Sequence, residues 1–370
     1  SGSLECHLKA TYRAMAMMRD LAAGAVIGAG MSSAAMLALL RRYLQKELRP
    51  PTLIHAPMEE RLVEDQKLLQ EVKLLLRDYW PHPLLEFSGY TSTAWSALWA
   101  SFPALSVPGE LDVFTLQDGG TVSLHWGERP AQGSSVQRVA LVLPGLNNDS
   151  RTSFVQSTMR HLRDEGFHAV ALNYRGMAGL EITSPRFGCA DSWQDIPEVV
   201  QRIESRLPGS ELFAVGFSMG AGILLRHLGE QGAKVRFKAA VAIAAPVDFV
   251  AVGASLESSL KKRAINFTMV NGVKMFMVKS FLKSPYAEKV DTSRLWRATT
   301  LRQLEEASIC PLHGYQDGVD YYSQNSPRKT LQKIAIPTLI VNAADDPVVS
   351  VSTLPLDDLR QNPRLYVAIT

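Results

Sequence analysis

Leu212-Phe213-Ala214-Val215-Gly216-Phe217-Ser218-Met219-Gly220-Ala221-Gly222-Ile223-Leu224-Leu225 is the stretch on which the reading of this chain turns. Its first four residues form a short apolar run of the kind that makes a buried strand, and its last five continue as a helix. Between them lies the pattern G-x-S-x-G in a strand–turn–helix setting. A bend that sharp leaves no room for a Cβ two residues before or after the serine, so both positions are glycine. The serine is held in a strained conformation, its hydroxyl above the sheet at the positive end of the following helix. At average Gly usage, with Ser taken as similar, the three-residue pattern arises by chance on the order of 0.1 times in a chain of this length. The pattern alone is therefore a modest signal, and an ordinary glycine-flanked βα turn would share it; the strand and helix on either side supply the specificity.

Moving outward, apolar runs at Val139–Leu143, Ala169–Asn173, Ala239–Ala244 and Thr338–Asn342 read as further strands buried on both faces. Ser153–Glu165, Asp191–Arg206 and Met219–Gly229 carry helical periodicity between them. Strand and helix in alternation imply a parallel sheet with right-handed crossovers. Ahead of it, Leu111–Leu116 and Thr121–Trp126 flank Asp118-Gly119-Gly120, which predicts a β-hairpin. The rhythm breaks between Pro246 and Ala335, where methionines, phenylalanines and lysines interleave; this stretch has the size of an inserted cap. The expectation is an α/β fold of mostly parallel strands with flanking helices, a cap at about 247–335 and an N-terminal helical extension. The domain spans 106–370, with a helical connector at 51–105 and an N-terminal segment at 1–50.

Two further elements fall at strand ends, where α/β sheets place their ligands. Leu143-Pro144-Gly145-Leu146-Asn147-Asn148 follows the first buried strand and can set the backbone N–H of Leu146 beside that of Met219 as a two-donor oxyanion hole; a plain Pro-Gly turn is the competing reading. Asn342-Ala343-Ala344-Asp345-Asp346-Pro347 ends another strand in two carboxylates, either of which can orient a histidine. Asp346, next to Pro347, is the favoured acid and Asp345 the second candidate; a helix cap explains one aspartate but less readily both.

At these residues the chain resembles the α/β-hydrolase superfamily, and more narrowly the AB hydrolase 4 family of membrane-anchored lipid esterases. The likeness rests on Gly216-Phe217-Ser218-Met219-Gly220-Ala221, Asn173-Tyr174-Arg175-Gly176, the Asn342–Pro347 segment, and His313-Gly314-Tyr315 with Asp320-Tyr321-Tyr322. It implies a serine esterase or lipase acting on lipid esters through an acyl-enzyme on Ser218, with Asp346 as the acid and no cofactor or metal. Pro144 departs from it, since many such hydrolases carry histidine before the oxyanion glycine. The resemblance also calls for a histidine after the last strand, which reads as Leu365–Thr370, yet all eight histidines precede Asp346. The chain is therefore expected to stop short of its base and to be impaired as it stands. His313 lies in the cap, and its use would reverse the chain order; a structural role is expected. Alternatives are a non-catalytic lipid- or small-molecule-binding protein that kept the pocket, and a soluble esterase for short acyl chains.

The chain has 370 residues, 46% hydrophobic and 20% charged, which excludes disorder and coiled coil. A net charge of +3 without a dense basic run makes nucleic acid a poor partner. Three cysteines are too few for a disulfide framework and suit a reducing compartment. Leu21–Leu40 contains no charged side chain, and twenty residues of helix span about 30 Å, the thickness of a hydrocarbon core. A single-pass N-terminal anchor is expected there, with a buried helix or a transit peptide as alternatives; without an anchor, a cytosolic or a plastid- or ER-associated location follows. The start, Ser1-Gly2-Ser3, reads as a processed product, a tag scar or a fragment. Between Asn266 and Pro285 the Met- and Phe-rich composition suits an acyl chain or a membrane surface, and equally a plain core.

Overall fold

The apolar runs pair into a single sheet in the computed structural model, which describes residues 51–57, 63–77, 79, 88–93, 108–131, 137–275 and 279–370. The strands are β1 (Thr52–His55), β2 (Gly109–Thr115), β3 (Thr121–Gly127), β4 (Arg138–Leu143), β5 (His168–Asn173), β6 (Glu211–Phe217), β7 (Phe237–Ile243), β8 (Thr338–Asn342) and β9 (Leu365–Ile369). Their spatial order is β1-β9-β8-β7-β6-β4-β5-β3-β2. The six strands from β9 through β5 are parallel, and antiparallel β1 and the β2–β3 hairpin close the two edges. β1 lies in the stretch read as helical. A four-residue apolar segment is too short to announce itself, and what makes it a strand is the open edge of β9.

Helix α1 (Val63–Arg77) precedes the hairpin. The sheet is then covered by α2 (Ser153–Asp164), α3 (Ile196–Arg206) and α4 (Met219–Gln231). The main core joins Leu141, Val170 and Leu212 of the sheet to Val199 and Ile203 of α3 and to Leu224 and Leu228 of α4. α4 is buried along almost its whole length because it lies between the sheet and the 3-10 turn at Pro327–Lys333. A Cβ on Gly229 would sit 2.3 Å from Thr330 Oγ1, so that approach requires glycine.

Burial on both faces holds for β4 and β5 but not for β6 to β8, where buried and half-buried residues alternate. The reason lies in the second face: among the described residues α2 covers it over β4 and β5, joining Val155 and Met159 to Val142, Ala169 and Ala171.

Between β7 and β8 the chain forms the cap: α5 (Phe249–Glu257), α6 (Leu260–Val273), α7 (Thr292–Arg297), α8 (Leu301–His313) and α9 (Gly318–Asn325). Its own core, with Leu295, Leu304, Ile309, Tyr321 and Tyr322, extends onto Ile182, Phe187 and Cys189 of the β5–α3 connection. The cap therefore packs on the carboxyl edge of the sheet. No helix among the described residues is long and apolar enough to cross a membrane, and Leu21–Leu40 lies outside them.

Candidate active site

β6 delivers the chain to Ser218 at φ 50° and ψ −119°, a backbone region that costs a non-glycine residue about 1–3 kcal/mol. Its surroundings impose it. The Ser218 N–H donates to Ile243 O at 2.8 Å, and its carbonyl accepts from the N–H groups of Ala221 and Gly222 at 2.9 and 3.0 Å. A Cβ on Gly216 would stand 2.6 Å from Gly220 O, so the first glycine is required by the bend itself. At Gly220 the obstacle differs from the one expected: its Cβ would stand 2.3 Å from the carbonyl oxygens of Leu143 and Pro144, so this glycine lets the helix meet the end of β4.

The loop after β4 lies directly against the serine, since a Cβ on Gly145 would be 3.2 Å from Ser218 Cβ. Asn148 secures the turn, its N–H donating to Gly145 O at 3.1 Å and its Nδ2 to Leu146 O at 2.8 Å. The N–H groups of Leu146 and Met219 donate to no described group, as a helix's first turn and an open loop leave them. Bracing comes from Asn173-Tyr174-Arg175 at the end of β5. Asn173 Oδ1 accepts the Ser150 N–H at 2.7 Å, and the Tyr174 hydroxyl donates to Pro144 O at 3.2 Å. Arg175 forks onto Asp195 at 2.7 and 2.9 Å and reaches Asp118 at 2.7 Å, tying the β2–β3 turn to the start of α3. In the sequence these three residues carry only a likeness, because their bracing role depends on partners far away in the chain.

Of the two aspartates after β8, Asp345 is exposed, whereas Asp346 is half-buried with Oδ1 accepting the N–H groups of Val348 and Val349 at 2.8 and 2.9 Å. One oxygen of Asp346 therefore fixes its own loop, and Oδ2 takes no hydrogen bond among the described residues. Asp345 touches the connector at 51–105 instead: a Cβ on Gly89 would overlap its carbonyl oxygen.

His313 is engaged by Asp191, not by the serine. Its Nδ1 meets Asp191 Oδ2 at 2.8 Å, with the imidazole 1% exposed. Asp191 also accepts from Cys189 Sγ at 3.0 Å and the Tyr315 hydroxyl at 3.1 Å, and pairs with Arg186 at 3.2 Å. Burial alone would raise the Asp191 carboxyl, but the hydrogen bond and charge of His313 and the charge of Arg186 outweigh it and hold it well below the usual carboxylate range. Cys189, Asp191 and His313 bring one ligand-type atom each within 4.8 Å of one another, a convergence that their spacing in sequence conceals. Both Asp191 oxygens are already taken by four donors, so the group works as a hydrogen-bonded clamp between the cap and the β5–α3 connection. Among the described residues no histidine is hydrogen-bonded to Ser218 or Asp346.

Leu146 and Met219 line one cavity under the cap, whose wall is formed largely by Ile182, Phe187, Val273, Phe281 and Leu295. A strained serine, two unclaimed amides and an apolar cavity thus share the carboxyl edge of the sheet, with Asp346 two strands away on β8. Such an arrangement suits nucleophilic attack on a carbonyl whose developing negative charge the amides would meet.

Residues 139–367 match the family described as alpha/beta hydrolase fold. The phospholipase ABHD3 of Mus musculus is 30% identical over 258 residues, covering 68% of this chain and 62% of that protein. The monoacylglycerol lipase ABHD2 of the same species is 29% identical over 318 residues, covering 80% and 73%. The chain thus spans 62% of the length of the first of these relatives. Among solved structures, an esterase of Pyrococcus furiosus aligns with a TM-score of 0.47 and 16% identity, over 72% of this chain and 83% of its own.

Proposed function

The chain belongs to the α/β-hydrolase fold family, and from that premise we propose that it is a serine hydrolase of carboxylic esters, with lipid esters of the acylglycerol or phospholipid type as substrates. The observation that carries this reading is the backbone of Ser218, held at positive φ beside Gly145, with its neighbour Met219 and Leu146 lining an apolar cavity. The relatives named phospholipase and monoacylglycerol lipase support the lipid substrate.

Ser218 Oγ attacks the ester carbonyl, and the oxyanion that forms accepts the N–H groups of Leu146 and Met219. The alcohol departs with a proton, leaving an acyl group on Ser218 that water then removes. A histidine carries the proton in both half-reactions, and Asp346, with Oδ1 already fixed by its own loop, is the carboxylate that orients it through Oδ2.

The reaction runs at a membrane surface in this reading. Cap residues 258–300 contain nine basic and two acidic residues, net +7 in a chain whose total is +3. Leu260, Phe267, Met275 and Trp296 of the same stretch are exposed. Basic and apolar groups together suit an anionic lipid surface, and the uncharged Leu21–Leu40 segment is the proposed single-pass anchor. A fluorophosphonate probe applied to the full-length protein tests the enzyme directly: a label mapped to Ser218 by peptide mass spectrometry is expected, and a folded sample that takes up none would refute the assignment.

A further inference from the structure

The cavity beneath the cap is apolar over most of its wall, but one acid opens onto it: Glu305, on α8. Leu304, Glu305, Ser308 and Ile309 line the cavity together because positions i, i+1, i+4 and i+5 share a helix face. Ser308 is already satisfied, its hydroxyl donating to Leu304 O at 2.7 Å. Arg175, which also reaches the wall, is spent on Asp195, Asp118 and Ser184. The Tyr322 hydroxyl is the neighbouring polar group that acts on the Glu305 carboxyl group. Glu305 Oε2, however, is sealed from solvent and has no partner among the described residues. A buried polar atom of that kind needs an explanation, and on a residue that lines a cavity a ligand supplies an immediate one.

We propose that Glu305 is a specificity-determining residue, whose carboxyl O–H donates a hydrogen bond to an accepting oxygen in the part of the ester that fills the cavity, away from the scissile carbonyl. The identity of the ligand as an ester rests on the function proposed above; the donor rests on the cavity alone. Placing the scissile carbonyl at the Leu146 and Met219 amides leaves the rest of that chain between Val273, Phe281 and Leu295, in the same cavity that Glu305 faces. Burial pushes the Glu305 carboxyl up to about 8, so at neutral pH it keeps the proton it would donate. A site built around such a donor discriminates against an otherwise identical chain that lacks the acceptor, because the buried group is then left unpaired.

Isothermal titration of the full-length protein with unreactive mimics tests this without relying on turnover. The ligands are N-methyldecanamide and its oxa analogues, each with one methylene replaced by an ether oxygen. One oxygen position is expected to bind at least threefold tighter than the all-carbon parent, and the others more weakly. Glu305→Leu should weaken that one analogue at least tenfold while leaving the parent unchanged or tighter; Glu305→Gln, still a donor, should keep the preference. If Glu305→Leu does not fold, raising the pH from 7 to 9 on the wild type removes the same proton. Around Glu305, Tyr321, Tyr322 and Cys189 are held by burial well above their ordinary values, Arg175 stays a cation, and Glu306 is paired with Arg302 at 3.3 Å. Uniform weakening by every oxygen, a preference that survives Glu305→Leu, or no binding by the whole series would each overturn the proposal. Selective binding without labelling of Ser218 would instead uphold the donor and refute the esterase.

Discussion

Asp191 and Asp346 are two carboxylates at the same end of the sheet, and they are built in opposite ways. Asp191 is buried, holds a histidine at 2.8 Å, and spends both oxygens on Cys189, Tyr315, His313 and Arg186. Asp346 is half-buried, uses one oxygen to fix its own loop, and leaves the other without a hydrogen bond among the described residues. On the function proposed above, the sparser site is the one that serves chemistry, while the pair with the look of acid–base machinery is a packing element. An acid–histidine contact indicates catalysis only where a nucleophile faces it; otherwise it is a means of burying charge.

Exchanging the roles experimentally separates the two. Asp346→Asn in the full-length protein is expected to lower ester hydrolysis about 10⁴-fold, the scale seen when the acid of a serine triad is neutralised, while the unfolding midpoint barely moves. Asp191→Ala should do the reverse. It strands Arg186 and the buried partners of the clamp, and urea unfolding should show a loss of about 3–5 kcal/mol; fluorophosphonate should still label whatever fraction stays folded. If Asp191→Ala abolished labelling in a fully folded sample, the clamp would belong to the reaction after all.

Acidification sharpens the same contrast. The Asp191 carboxyl is depressed by folding, so its contribution to stability is complete above its unfolded value near 3.8 and is lost as pH falls below it. Glu305 has the opposite sign. Raised from 4.5 to about 8, it favours the fold at low pH and gives that up as pH rises through this interval, by up to about 1.4 kcal/mol per pH unit. Denaturant titrations at pH 6 and 7 should show that decline in the wild type and a shallower one in Glu305→Gln. Smallest of all, Asn148→Ala removes the amide that holds Leu146 O and is expected to cost about 1 kcal/mol in unfolding. Acylation of Ser218 should slow by more than that loss explains, if the loop positions an oxyanion donor.

What the sequence disclosed follows from how local each feature is. The elbow is legible because strand, bend and helix are contiguous from Leu212 to Leu225, and Gly216 is dictated by its own neighbours. The loop after β4 and the aspartates after β8 could be found because each ends an apolar run. Gly220 is required for a different reason from the bend, since what it avoids belongs to residues 143 and 144. The clamp at Asp191 and the wall position of Glu305 were invisible, because each exists only when the cap folds back over the β5–α3 connection. The short run at Thr52–His55 carried no strand signal of its own; it is a strand because β9 offers it an edge.

That last pairing bears on how the molecule is made. Thr52 lies opposite Ile369, so the strand that shields one margin of the sheet pairs with a segment far along the chain from it. Contacts between such distant positions form slowly, since a large loop must close first. Until it does, β1 has nothing to zip onto and β9 presents a bare row of amides and carbonyls to other chains. Copies that lack the Thr52–His55 strand should therefore clump rather than merely lose activity.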